Sequence, residues 1–194
     1  LMTAGSGIVH SERSDSESRA NISQLFGIQS WLALPRAMEE TAPSFDHYGE
    51  SSLPQFSDHG IEGRVLLGEW FGLKSLVPFP WDSLYVDLQM SQCSAIQIPK
   101  QYQERAIYSA QGALEIDGVR YPESELLILA PGQEVSVVAP QGARVLIFGG
   151  EPLDGPRHLW WNFVSSDKER IEQAKADWVD GRFAQVPGDS EFIP

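Results

Sequence analysis

The stretch that most constrains the fold runs from residue 64 to residue 150, where short apolar runs alternate with polar residues and break at glycine or proline. In DSLYVDLQM (82–90), an extended chain puts Leu84, Val86 and Leu88 on one face, because successive side chains of a strand point to opposite sides. RVLLGEWFG (64–72), SAIQIP, RAIYSA, ALEI, ELLILAP, VSVVAP and ARVLIFGG continue the series. VPFPWDS, Pro99, Asp117-Gly118, Pro131-Gly132 and Gln141-Gly142 punctuate it. Asp-Gly supplies two residues that tolerate positive φ, the signature of a tight hairpin. Helix-period stripes are missing from this half. About eight short strands with Gly and Pro at their turns predict an all-β fold, an antiparallel sandwich or barrel.

The flanks read differently. Residues 25–35, LFGIQSWLALP, alternate as a strand with Ile28, Leu32 and Leu34 on one face, and Pro35 ends it because proline cannot donate to a ladder. SERSDSESRAN (11–21) is a polar loop without an apolar period. Residues 36–60 are dense in Pro, Ser, Asp and Gly, too long a loop for the interior of one compact domain, and they mark a boundary. One helix is expected over 167–180. Ser166 and Glu169 form a capping box, Ile171, Ala174 and Trp178 share a face, and Gly181 stops it. The tail carries Phe183, Val186, Phe192 and Ile193 and reads as an ordered strap.

Charge removes some function classes. With 14 Lys and Arg against 27 Asp and Glu, the formal charge is −13. Such a surface repels phosphate backbones, and no basic patch offsets it, so direct nucleic-acid binding is not expected. No apolar run is long enough to span a bilayer, and the first residues lack the charged-then-apolar layout of a signal peptide. A single cysteine, Cys93, fits a reducing, cytoplasmic setting and reads as a small buried hydrophobe in an apolar strand. The chain opens at Leu1 ahead of Met2, and LMTAGSGIVH reads as the middle of a strand and turn, so a fragment lacking its upstream part is expected.

The candidate chemistry lies in GSGIVHSE (5–12). If Ile8 to Glu12 is extended, His10 and Glu12 point the same way, and neutral imidazole plus carboxylate can chelate a divalent metal. Spacing alone leaves two readings open, half of a metal site or an exposed strand-end pair. His47 and His59 sit in the polar loop and read as solvated. His158, Trp160 and Trp161 read as packing between the helix and the barrels, and Arg157 as a structural ion-pair partner for a carboxylate.

Four segments go beyond generic β patterning: MTAGSGIVHSE, GIQSWLALP, IQIPKQYQERAIYSAQGALEIDG and GGEPLDGPRHLWWNFVSS. Together they resemble the pirin family along the whole chain. Pirins are bicupins, two small β-barrels in tandem. The resemblance implies the end of a first, metal-binding cupin at 1–35, an interdomain loop at 36–61, a second cupin at 62–150, and a C-terminal segment at 151–194 with the helix. It implies one non-haem Fe(II) held by three histidines and a glutamate. Two of these ligands belong to a GxGxxHxE motif, present here as Gly5, Gly7, His10 and Glu12. The family's H-x-H pair is not among the four histidines His10, His47, His59 and His158 and is expected upstream of Leu1. Two ligands leave too low an affinity to hold iron in a fragment. The second cupin has no histidine and is expected to be metal-free.

The resemblance implies two kinds of function. One is a quercetin 2,3-dioxygenase-type oxygenase on a flavonol-like small molecule or related enediol, with Glu12 as the catalytic base. The other is an iron-dependent, redox-sensitive regulator that acts by binding a protein partner.

Overall fold

The computed structural model describes residues 1–14, 19–20, 26–189 and 191. The chain divides into two compact units, Leu1–Asp46 with Leu153–Pro194, and His47–Pro152. Strands β1 (Met2–Thr3) and β2 (Ser44–Phe45) belong to the first. The second contains β3 (Gln55–Asp58), β4 (Ile61–Leu67), β5 (Glu69–Trp70), β6 (Leu73–Lys74), β7 (Ser83–Met90) and β8 (Ser94–Ile98). It goes on with β9 (Glu104–Gln111), β10 (Leu114–Ile116), β11 (Val119–Tyr121), β12 (Leu126–Ile128), β13 (Val135–Ala139) and β14 (Ala143–Gly150). The C-terminal segment returns to the first unit with β15 (His158–Trp160), β16 (Phe163–Ser165) and helix α1 (Lys168–Val179).

The second unit is a two-sheet β-structure. One sheet has the order β12-β9-β14-β7-β4-β3 and the other β11-β10-β13-β8. Alternation along each strand delivers one face to a shared interior. Val65, Val86, Leu88, Ile107 and Ile147 from the larger sheet meet Ile98, Leu114 and Val137 from the smaller in one apolar core. Each such side chain, fully buried, contributes about 1.5–3 kcal/mol. Arg105 is buried too, and its guanidinium donates to the carbonyls of Pro99 (2.8 Å) and Ala130 (2.6 Å). Burial also pushes the Tyr102 phenol up in pKa.

Three two-residue turns close hairpins in this unit, each with positive φ at both positions: Asp117-Gly118 (51°, 75°), His59-Gly60 (46°, 78°) and Phe71-Gly72 (47°, 80°). The register agrees, since Ile116 faces Val119, Asp58 faces Ile61 and Trp70 faces Leu73. The first turn follows from the sequence; in the other two only the glycine signals it. Gly68 (φ +80°) splits the single run expected over 64–72 into β4 and β5.

In the first unit, α1 differs from expectation at its start. Asp167, not Ser166, is the N-cap, and its carboxylate accepts the Glu169 N–H at 2.8 Å. Ser166 is engaged by Glu39 instead, which leaves the next side chain to cap the helix. The end is as expected. Gly181 adopts φ +66°, its N–H reaches the Trp178 carbonyl (3.1 Å), and the Arg182 N–H reaches that of Asp177 (2.8 Å). This paired pattern is a Schellman stop. Ile171 and Ala174 are the buried positions of the helix.

Three further expectations are corrected. Described residues 26–35 form no strand, and Phe26, Ile28 and Trp31 stay exposed. Alternation gives a segment the capacity to pair, but a strand exists only with a ladder partner. Residues 8–12 likewise form no strand. Cys93 is exposed rather than buried, because it sits at φ +59° in the turn between β7 and β8. The 11–21 loop is described only in part, and Arg19 and Ala20 within it are helical. Phe192 and Ile193 lie outside the described residues. Among the described residues no helix is long and apolar enough to cross a membrane.

Candidate functional site

The site begins with the two glycines. Gly5 (φ +52°) lies against the backbone of Thr41, and Gly7 (φ +138°) against the Phe183 ring, where an added Cβ would come within 2.8 Å. Backbone bonds fix the turn: the Ser6 N–H donates to the Thr41 carbonyl and the Gly7 N–H to that of Ala4, both at 2.9 Å. A side chain at either position meets a wall and a disfavoured φ. The glycines thus have packing reasons of their own.

His10 and Glu12 follow on an irregular, exposed segment. The same-face argument therefore fails as a strand argument. What holds this segment is the next residue. Arg13 donates to Asp189 through Nε (3.0 Å) and Nη2 (2.7 Å), and Nη2 lies 2.5 Å from Glu191. The Arg13 guanidinium, then the Glu191 N–H and the Ser11 hydroxyl, hold the Asp189 carboxyl at about 2. Nothing in the sequence pairs residues so far apart along the chain.

A second polar tie centres on Arg157, whose side chain is only 5% exposed. Its Nε lies 2.6 Å from Glu39 and its Nη2 2.6 Å from Asp154, while Nη2 also reaches the Leu34 carbonyl at 2.7 Å. Glu39 in turn accepts the Ser166 N–H (3.0 Å) and hydroxyl (2.8 Å) at the entry to α1. The Arg157 guanidinium and then the Arg36 N–H hold Asp154 below the usual carboxylate range. The sequence marks Arg157 as an ion-pair partner but not as the centre of a network.

The same unit carries an aromatic cluster. Trp161 meets Trp178 edge-on (5.3 Å), Phe163 stacks on Phe183 (5.8 Å), and the Lys175 ammonium sits 5.0 Å over Trp160. His158 heads the exposed β15, which pairs antiparallel with β16. His59 occupies its turn, 2.5 Å from Asp58, which raises the imidazole pKa. His47 is exposed, as read from the sequence.

A cavity of about 200 Å³ opens beside Ser6 and Gly7, walled by Arg170, Asp177, Arg182 and Phe183, and neither His10 nor Glu12 lines it. Among the described residues no three His, Cys, Asp or Glu side chains converge on a point. The imidazole and carboxylate of His10 and Glu12 suit an iron ion in kind, but two donors fall short of a site in number.

Comparison with known proteins gives concordant matches. The family described as Pirin C-terminal cupin domain matches residues 85–184. A pirin-like protein of Caulobacter vibrioides is 45% identical over 100% of this chain and 67% of its own length. The pirin of Mus musculus is 30% identical over 93% of this chain and 63% of its own. The crystal structure of a quercetin 2,3-dioxygenase from Acinetobacter baumannii superposes with a TM-score of 0.74 at 31% identity, covering 84% of this chain and 56% of that one. The chain thus spans between about half and two thirds of the proteins it matches.

Proposed function

The chain belongs to the pirin family, and from that membership we propose that it serves a pirin-type oxygenase site, acting on a flavonol or a similar enediol. His10 and Glu12 are its contribution to the iron. The observation that carries this reading is the match of Gly5, Gly7, His10 and Glu12 to the family's GxGxxHxE pattern, in a chain that resembles a quercetin 2,3-dioxygenase over most of its length. The remaining ligands, by the family pattern an H-x-H pair, are not among the histidines of this chain. Residues 1–35 are assigned to the first cupin and 62–150 to the second.

The roles proposed for this chain's own residues follow from their chemistry. A positioned carboxylate takes a proton from a bound hydroxyl. Glu12 is the residue assigned to that task, and His10 supplies a neutral imidazole donor beside it. Arg13, anchored on Asp189 and Glu191, limits how far this segment strays.

The test is oxygen uptake with quercetin after Fe(II) loading. The chain is supplied with the part of the Caulobacter relative that it does not match. Quercetin-dependent uptake that Glu12→Gln abolishes is expected. Uptake that survives both Glu12→Gln and His10→Ala would remove these residues from the reaction.

A second reading has one observation in its favour. The charge of −13 suits docking on a basic protein patch. It predicts a complex that weakens as salt is raised and depends on the iron's oxidation state.

A further inference from the structure

The second unit carries a polar recess that the proposed oxygenase site does not use. Strand register builds it. Gln55, Arg64 and Asp87 stand opposite one another across β3, β4 and β7. Ser57, Glu62, Gln89 and Arg144 form a parallel row from β3 to β14. These residues alternate with the core positions of their strands, so both rows lie on the outer face of the six-stranded sheet. With Glu50 they line an open recess of about 690 Å³. The face turns apolar further along, where Tyr85 and Phe148 bring their rings to 4.7 Å.

Two ion pairs hold the walls. Arg144 grips Asp87 with Nε at 3.0 Å and Nη2 at 2.6 Å, and Arg64 pairs with Glu50. Gln55 and Gln89 each give an amide N–H to a backbone carbonyl, of Glu50 (3.0 Å) and Ala143 (3.4 Å), which leaves the amide oxygen to accept. The Arg64 Nε is buried and has no partner among the described residues.

Charge decides between ligands. An anion would meet Glu50, Glu62 and Asp87. A metal ion would meet Arg64 and Arg144, with two of the three carboxylates already engaged. A neutral ligand with many hydroxyls escapes both penalties, and planar guanidinium, carboxylate and carboxamide groups engage neighbouring hydroxyls in pairs. We propose that the recess between β3 and β14 binds a neutral polyhydroxyl ligand of the saccharide class. This goes beyond the oxygenase reading and stands or falls apart from it.

The test is a ¹H–¹⁵N NMR titration of the chain with D-glucose and with maltose, with glycine and inorganic phosphate as charged comparators. Shifts confined to amides of residues 55–64, 87–89 and 144 are expected with a sugar. The double variant Glu62→Ala/Gln89→Ala, both exposed positions, should weaken the response about tenfold with the rest of the spectrum unchanged. The proposal is overturned if neither sugar shifts these amides up to its solubility limit. It is equally overturned if glycine or phosphate shifts them more strongly than the sugars, or if the double variant responds like the parent.

Discussion

The two units are stabilised by different means. The His47–Pro152 unit has an apolar interior shared by two sheets, in which Val65, Val86, Leu88, Ile107 and Ile147 have no measurable exposure. Among its described residues, the unit made of the two chain ends has few buried aliphatic side chains, chiefly Ile171 and Ala174. It relies on guanidinium–carboxylate ties and on aromatic rings that remain partly open, with Trp160 and Trp161 both above 40% exposed. A core held by apolar burial is written in local periodicity. A core held by paired charges far apart in sequence is not.

Perturbations should separate the two. Trp70→Ala, which empties the largest buried side chain of the β unit, should cost about 3–5 kcal/mol, read as a lower denaturant midpoint of that unit. Arg157→Ala leaves Glu39 and Asp154 without their shared cation; it should cost about 2–3 kcal/mol, discounted from a fully buried pair because Asp154 is partly exposed. Its effect should appear first as faster amide exchange at the start of α1. If Arg157→Ala instead leaves α1 protected while loosening the β unit, the division of labour is wrong.

This contrast explains what could be read in advance. Most strands of the β unit, the Asp117-Gly118 turn and the helix with its Gly181 stop rest on neighbours within a few residues, and the sequence predicts them; β3, inside the stretch read as a loop, is not among them. The strand expected at 25–35 had the right alternation, but its described residues 26–35 have no ladder partner. The helix cap moved from Ser166 to Asp167 because Glu39, more than a hundred residues away, takes Ser166. Cys93 left the apolar strand because a turn needed a left-handed residue there. At the candidate site, the motif singles out His10 and Glu12, but Arg13, Asp189 and the Arg157 network depend on long-range pairing that no local pattern encodes.

Smaller effects test the capping and the tail. Asp167→Ala should cost about 1 kcal/mol by removing the helix cap, measured by thermal melting, whereas a cap at Ser166 would make Asp167→Ala silent. For the tail, the Asp189 carboxyl is depressed from 3.8 to about 2. A depressed carboxylate stabilises above its unfolded pKa and loses that contribution as pH falls through its folded pKa. The tie to Arg13 should therefore hold at pH 5 and fade between about pH 4 and 2. NMR shifts of residues 11–13 moving in that window would show it, and Asp189→Asn should abolish the transition.

The most direct test of the functional account is a titration of the chain with Fe(II) under anaerobic conditions, followed by paramagnetic broadening in ¹H–¹⁵N spectra. Broadening that starts at residues 8–13, stays weak because only two donors are present, and vanishes in His10→Ala and Glu12→Ala is the predicted result. Broadening that begins elsewhere, or that persists unchanged in both variants, would contradict the assignment of His10 and Glu12 to the iron.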